Sequence, residues 1–190
     1  MGQYYLIAVK EEDKPVTVYR PKTDKDQWSG MKLLEHGYLT TRVCKAVGKI
    51  LSGRPVQIAW CGDYSDEEGD YDCTNGELKY DMVWNENIPE HMLKSAPRFG
   101  WKGKYLVNAT KKEYISFDKY FKKCKENGVE DGWEICPFTI LTAIGNGRGG
   151  GDYSGVNEEL TGTWAWDAIH ITKKKPTDCK ELDIYFKEGF

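Results

Sequence analysis

The stretch Gly145-Asn-Gly-Arg-Gly-Gly-Gly-Asp-Tyr-Ser-Gly155 sets six glycines among eleven residues around one arginine. Glycine loses more conformational freedom on ordering than any other residue, so a run this dense needs a physical reason. One reason is that glycine lets successive backbone N–H groups turn inward as a nest for an anion, while Arg148 adds a forked donor matched to phosphate or carboxylate. Only 5 of the 27 basic residues are arginine, which makes Arg148 in this loop more telling. On this reading Gly147, Arg148, Gly149, Gly150 and Gly151 grip the negative group, and Asp152 and Tyr153 orient polar groups beside it. The competing reading is a glycine-rich turn that joins a helix to a strand and binds nothing. The letters Gly145-x-Gly147-x-x-Gly150 also satisfy a dinucleotide fingerprint, but they follow a helix-like segment and no amphipathic helix opens after them. No Gly-Lys-Ser or Gly-Lys-Thr follows either, so neither nucleotide motif is assigned and no cofactor is implied.

A second polar stretch, Asp63 to Asp72, gathers six carboxylates in ten residues, oxygen enough for a hard cation. Counted from Asp63, however, Glu68 falls where an EF-hand needs glycine and Thr74 where it needs the bidentate glutamate. A solvated acidic loop is the better reading, with Asp63 at a strand end the member to watch. Glu35-His36 and Asp167-x-x-His170 are close acid and histidine combinations, and such pairs move protons when a cleft holds them to a substrate. In a continuous strand Asp167 and His170 point to opposite faces, so a sheet histidine is the simpler reading of His170. A dispersed catalytic site would have to unite His36, Asp63 and Asp152. No nucleophile elbow, zinc-protease helix or Cys and His protease signature is present. The six cysteines are widely and irregularly spaced with no Cys-x-x-Cys, and no metal site is assigned; buried thiols are expected.

These residues need elements to hold them. The spacing predicts an opening hairpin from Gln3 to Lys10 and Pro15 to Arg20, with Pro15 suited to a sheet edge. Thr40 or Thr41 caps a helix with the stripe Val43, Ala46, Val47, Ile50 and Leu51, ended by Gly53. Val56 to Cys61 is a buried strand that empties into the acidic loop. Leu78 to Trp84 reads as irregular and extended, and Asn85 to Gly103 as mostly loop. A second hairpin runs from Lys104 to Asn108 and Glu113 to Phe117, followed by a helix capped by Asp118 and closed by Gly128. Pro137 starts a helix to Ile144. Thr163 to Thr172 alternates as a strand with Trp164, Trp166, Ala168, His170 and Thr172 on one face. Hairpins interspersed with three or four short helices suit an α+β domain with a predominantly antiparallel sheet, and 190 residues suit a single domain over 1–190.

A net charge of -3 from 27 basic and 30 acidic residues gives no field that attracts nucleic acid or anionic lipid. No apolar run approaches the roughly 20 residues of a membrane span, and the start lacks the regions of a signal peptide, so a cytoplasmic protein is expected.

Met1-Gly-Gln-Tyr-Tyr5, Leu33-Leu-Glu-His36, Trp60-Cys-Gly-Asp-Tyr64, Val107-Asn-Ala-Thr-Lys-Lys-Glu-Tyr114 and the Gly145 to Tyr153 loop resemble a group of uncharacterised proteins from bacteria and their phages. The resemblance implies a bacterial or phage cytoplasmic setting and no particular chemistry. Where that group's pattern has an arginine before the aspartate of the last strand, this chain has Trp166. Three expectations follow: a small-molecule binding module built on the glycine loop; a phage-type inhibitor or other interaction protein using exposed aromatics and the acidic loop; or a hydrolase or transferase with a dispersed site.

Overall fold

The computed structural model describes residues 4–12, 16–20, 32–62, 86–87, 96–144 and 153–189. The acidic run from Asp63, the glycine loop through Asp152, Leu78 to Trp84, His91, Cys73 and Pro15 lie outside them.

Aromatic and β-branched alternation produces the expected opening hairpin, β1 (Tyr5–Lys10) antiparallel to β2 (Thr17–Arg20). A single-turn helix α1 (Leu33–His36) leads to α2 (Arg42–Ile50), where the Thr41 hydroxyl accepts from the Cys44 N–H as an N-cap. The stripe of α2 buries Val43, Ala46 and Val47 against the sheet. Strand β3 (Val56–Gly62) follows, then a two-residue β4 (Glu86–Asn87) and the 3-10 turn Ala96–Arg98. The second hairpin is β5 (Tyr105–Asn108) with β6 (Glu113–Ser116), and α3 (Phe117–Glu126) grows directly from it. The chain closes with α4 (Pro137–Leu141), β7 (Ala143–Ile144), the 3-10 turn Glu158–Leu160, β8 (Ala168–Thr172) and β9 (Lys180–Glu181).

Among the described residues one mixed sheet contains nine strands, in the order β4-β2-β1-β3-β8-β5-β6-β9, with β7 also beside β3. The central pairings are antiparallel, while β2–β4, β3–β7 and β6–β9 are parallel. The α+β class and the predominantly antiparallel sheet therefore match the sequence reading.

Three boundaries differ from expectation. Asp118 is not a cap, because α3 begins at Phe117, and the Asp118 carboxylate instead accepts from the Gly103 N–H at 3.1 and 3.2 Å. That contact holds a turn in which Gly103 takes φ +68°. The helix from Pro137 stops at Leu141, and Ala143 and Ile144 join the sheet. The last long strand is only Ala168–Thr172, since the preceding residues turn sharply and Trp166 adopts φ +62°. As a result Trp164 and Trp166 do not share a face: Trp164 enters the main core and Trp166 a smaller cluster on the other side of the sheet.

The main core covers one sheet face with Tyr5, Ile7, Val9, Ile58, Trp60, Leu106, Ile169 and Ile171, against which the helices lay Leu51, Phe117, Tyr120 and Phe138. Each fully buried large side chain stabilises by about 1.5–3 kcal/mol. Cys44, Cys124 and Cys136 belong to this core as free thiols, and burial pushes the Cys124 thiol up to about 12. They act as small apolar groups and not as nucleophiles.

Gly48 shows how tight that packing is. A Cβ there would stand 2.7 Å from Phe99 Cε1 and 2.8 Å from Trp101 Cη2, while Phe99 and Trp101 hold each other edge to face at 4.8 Å. Replacing a mid-helix glycine by alanine ordinarily stabilises a helix by up to about 1 kcal/mol. Gly48→Ala is expected to do the reverse, lowering stability by about 1–2 kcal/mol through overpacking. The check is the urea midpoint, and a midpoint above wild type would contradict this packing.

Candidate functional site at the ends of β3 and β7

Strand β3 has β1 along one edge and two successive neighbours along the other. Val56 and Gln57 pair antiparallel with Ile169 and Ala168 of β8, whereas Trp60 and Cys61 pair in parallel with Ala143 and Ile144 of β7. The gap is bridged by backbone hydrogen bonds, with the Trp166 N–H donating to the Ile58 carbonyl at 2.9 Å and the Trp60 N–H to the Thr142 carbonyl at 2.8 Å. Every buried backbone group along this edge needs such a partner, which is why the chain turns here as it does. The turn is fastened to α4 by Gly162 N–H to Ile140 O at 2.9 Å and Trp164 N–H to Leu141 O at 2.7 Å. A further anchor is the Trp164 indole, which donates to Glu113 Oε2 at 3.0 Å.

Trp166 takes the strain of this hand-over. A bulky residue with positive φ costs on the order of 1–2 kcal/mol, and it persists only where its surroundings dictate it. Its carbonyl accepts from Gln57 Nε2 at 3.1 Å, and its ring packs with Ala59, Cys61, Ile144 and Ala165 in the second cluster. Among the described residues the buried indole N–H of Trp166 has no hydrogen-bond partner, nor do the Trp60 indole N–H and Nδ1 of His170. Such orphan polar atoms are rare in folded proteins, and here they lie on both sides of the sheet, the Trp60 indole in the main core and the Trp166 indole in the smaller cluster.

Because β3 and β7 are parallel, their carboxyl ends emerge side by side, with Cys61 and Ile144 in register. Neighbouring strands lie about 4.8 Å apart. Asp63 follows Gly62 directly and Gly145 follows Ile144, so the acidic run and the glycine loop both start from this one place.

The glycine loop returns through Tyr153, which is 7% exposed. Its hydroxyl donates to the Val156 carbonyl at 2.6 Å and accepts from the Lys187 N–H at 3.2 Å, and its ring meets Phe186 edge-on at 5.7 Å. Burial pushes that hydroxyl up to about 12. Tyr153 is thus an anchor whose polar atom is engaged internally. The sequence reading placed Gly147, Arg148, Gly149, Gly150, Gly151 and Asp152 in the same site, and these lie outside the described residues.

The strand Ala143–Ile144 also removes one of the two grounds for setting aside the dinucleotide fingerprint, since the glycines follow a strand after all. The other ground stands: beyond Tyr153 comes a bridge and the short 3-10 turn Glu158–Leu160, not an amphipathic helix.

Of the proposed acid–base residues, His36 closes α1, where its Nδ1 accepts from the Lys32 N–H at 3.2 Å. Asp63 and Asp152 lie outside the described residues. Asp167 is held by Asn108 Nδ2 at 2.7 Å, with Lys111 Nζ at 3.7 Å, an arrangement that fastens the β5–β6 turn rather than pairing with His170. Among the described residues no three His, Cys, Asp or Glu side chains gather as metal ligands, and no helix is long and apolar enough to cross a membrane. The left-handed Trp166 and the short strand β7 are the features of this site that sequence reasoning missed. Nothing in a tryptophan flanked by Ala165 and Asp167 signals positive φ, for which glycine or asparagine is the usual sign.

His170 offers a test of this face. It lies opposite Val107 of β5, and burial lowers its pKa from the ordinary 6.5. A group whose folded pKa is depressed contributes stability that is full above the unfolded value and declines as pH falls from about 6.5 toward the folded value. Urea midpoints should therefore fall between pH 7.5 and 5.5 in wild type, and less steeply in His170→Gln. Parallel pH profiles for the two proteins would contradict a half-buried imidazole held toward its neutral form.

No family model, curated protein or solved structure matches this chain.

Proposed function

We propose that the chain is a binding module for a small molecule bearing a phosphate or similar anion, possessing in its glycine loop the receptor for that charge. In this reading the amides of Gly147, Gly149, Gly150 and Gly151 and the guanidinium of Arg148 hold the anion, and Asp152 orients a neighbouring polar group. Tyr153 serves as the fixed far post of the loop.

The observation that supports this most is the anchoring of both loop ends. Ile144 is bound into the sheet beside Cys61, and Tyr153 is buried against Phe186, so the eight residues from Gly145 to Asp152 close between fixed posts. Fixing the two ends of a loop lowers the entropy lost when it closes on a ligand. The neighbouring start of the acidic run sets an electrostatic condition. Carboxylates from Asp63 onward repel a bare anion, whereas an anion that carries a divalent cation meets both signs of charge. A nucleotide with magnesium is the ligand class that satisfies both.

Calorimetric titration of the full chain with inorganic phosphate, mononucleotides and cyclic nucleotides, each with and without magnesium, tests the reading. The expected result is binding of at least one of them, weakened roughly ten-fold or more in Arg148→Ala, as loss of a charged hydrogen bond implies, with an unchanged urea midpoint. Absence of binding to either protein, or equal binding to both, would overturn it.

A further inference from the structure

Away from the ends of β3 and β7, the connection between α3 and α4 presents an aromatic side chain to water. Trp133 is 59% exposed, more than any other large apolar residue among those described. Its backbone is nonetheless firmly held. The Trp133 N–H donates to the Glu130 carbonyl at 3.0 Å, the Thr40 hydroxyl donates to the Gly132 carbonyl at 3.0 Å, and the Gly132 N–H donates to Glu134 Oε2 at 2.9 Å. Glu134 in turn accepts from the Leu39 N–H at 2.9 Å, next to the Tyr38–Ile135 bridge. The exposed indole is therefore presented from a pinned turn, and it meets the Tyr38 ring edge to face at 5.2 Å and 83°.

Glu130 and Asp131 precede Trp133 in the same turn, and Glu188 acts on the Tyr38 ring from the far end of the sequence. Glu130, Asp131 and Glu188 are exposed and make no ion pair among the described residues. Burial, and then the negative charges of Glu188 and Glu35, push the Tyr38 hydroxyl up, which places those two carboxylates within electrostatic reach of the ring. Lys32 pairs with Glu35 at 2.7 Å, and Lys187 Nζ turns to the Asn127 carbonyl at 2.9 Å. Aromatic faces carry negative potential, so unneutralised carboxylates beside them reinforce attraction for a cation. The same charges oppose an anionic lipid surface. An open surface gives one small free cation little burial, whereas a chain carrying several cations spans the rings and the carboxylates together.

We propose that Tyr38 and Trp133, rimmed by Glu130, Asp131 and Glu188, form a docking surface for a lysine- or arginine-bearing segment of a partner protein. This surface is independent of the glycine loop, and loss of one reading leaves the other intact.

The test is fluorescence anisotropy of a labelled Lys/Arg hexapeptide against the full chain at low salt, with a Glu hexapeptide as control. The basic peptide is expected to bind and the acidic one not. Trp133→Ala should weaken binding roughly two- to five-fold, and Trp133→Phe should retain most of it. The double substitution Glu130→Gln, Asp131→Asn should weaken it as well and reduce its salt dependence. Trp133 is largely exposed, so its removal is expected to leave the fold intact, and an unchanged urea midpoint is the check. Failure of the basic peptide to bind, equal binding of both peptides, or affinity indifferent to Trp133→Ala would overturn the proposal.

Discussion

The edge of β3 has to be hydrogen-bonded along its whole length, and no single strand does it. β8 covers the first half from one direction and β7 the second half from the other, and the chain between them satisfies the intervening groups through Trp166 N–H to Ile58 O and Trp60 N–H to Thr142 O. An unpaired backbone group buried at this position would cost about 1–3 kcal/mol, comparable to the strain of holding a tryptophan at positive φ. The two penalties are of similar size, so the turn is held by its fastenings to α4 and to Glu113 and not by local preference.

From that constraint the arrangement of polar loops follows. Had α4 run on to Ile144, the glycine loop would leave from a helix end; the two residues of β7 make it leave from the sheet, in register with the strand that carries Asp63. The far end of the loop is fixed by a different means, a tyrosine seated on Phe186 near the end of the chain. Chemistry-bearing residues that are 82 positions apart between Asp63 and Gly145 thus originate from neighbouring strand ends. The second aromatic feature, Trp133 with Tyr38, stands on another connection and has its own pinned backbone.

Much of the fold was legible because periodicity and capping are local. The β1–β2 hairpin, α2 with its Thr41 cap, β3, the β5–β6 hairpin and the proline at the first turn of α4 all follow from residue types a few positions apart. Three features were not legible, each for a tertiary reason. Asp118 looks like a cap but faces Gly103, fifteen residues earlier in the chain. Ala143 and Ile144 lack any strand pattern of their own and are made extended by β3. The alternation from Thr163 to Thr172 suggests one strand, yet the demand for hydrogen bonds on β3 breaks it at Trp166 and sends the two tryptophans to opposite faces. For the site, the glycine run and Tyr153 were visible as residue types, whereas the pairing that brings its start beside Asp63 depends on contacts no local pattern encodes.

Amide hydrogen exchange at Trp60 and Trp166, resolved residue by residue, reads the hand-over directly. Both N–H groups are expected to exchange as slowly as amides in the centre of the β5–β8 pairing, because each is hydrogen-bonded across the edge of β3. Fast exchange at Trp60 would mean that β7 does not lie on β3, and the common origin of the two polar loops would be lost with it.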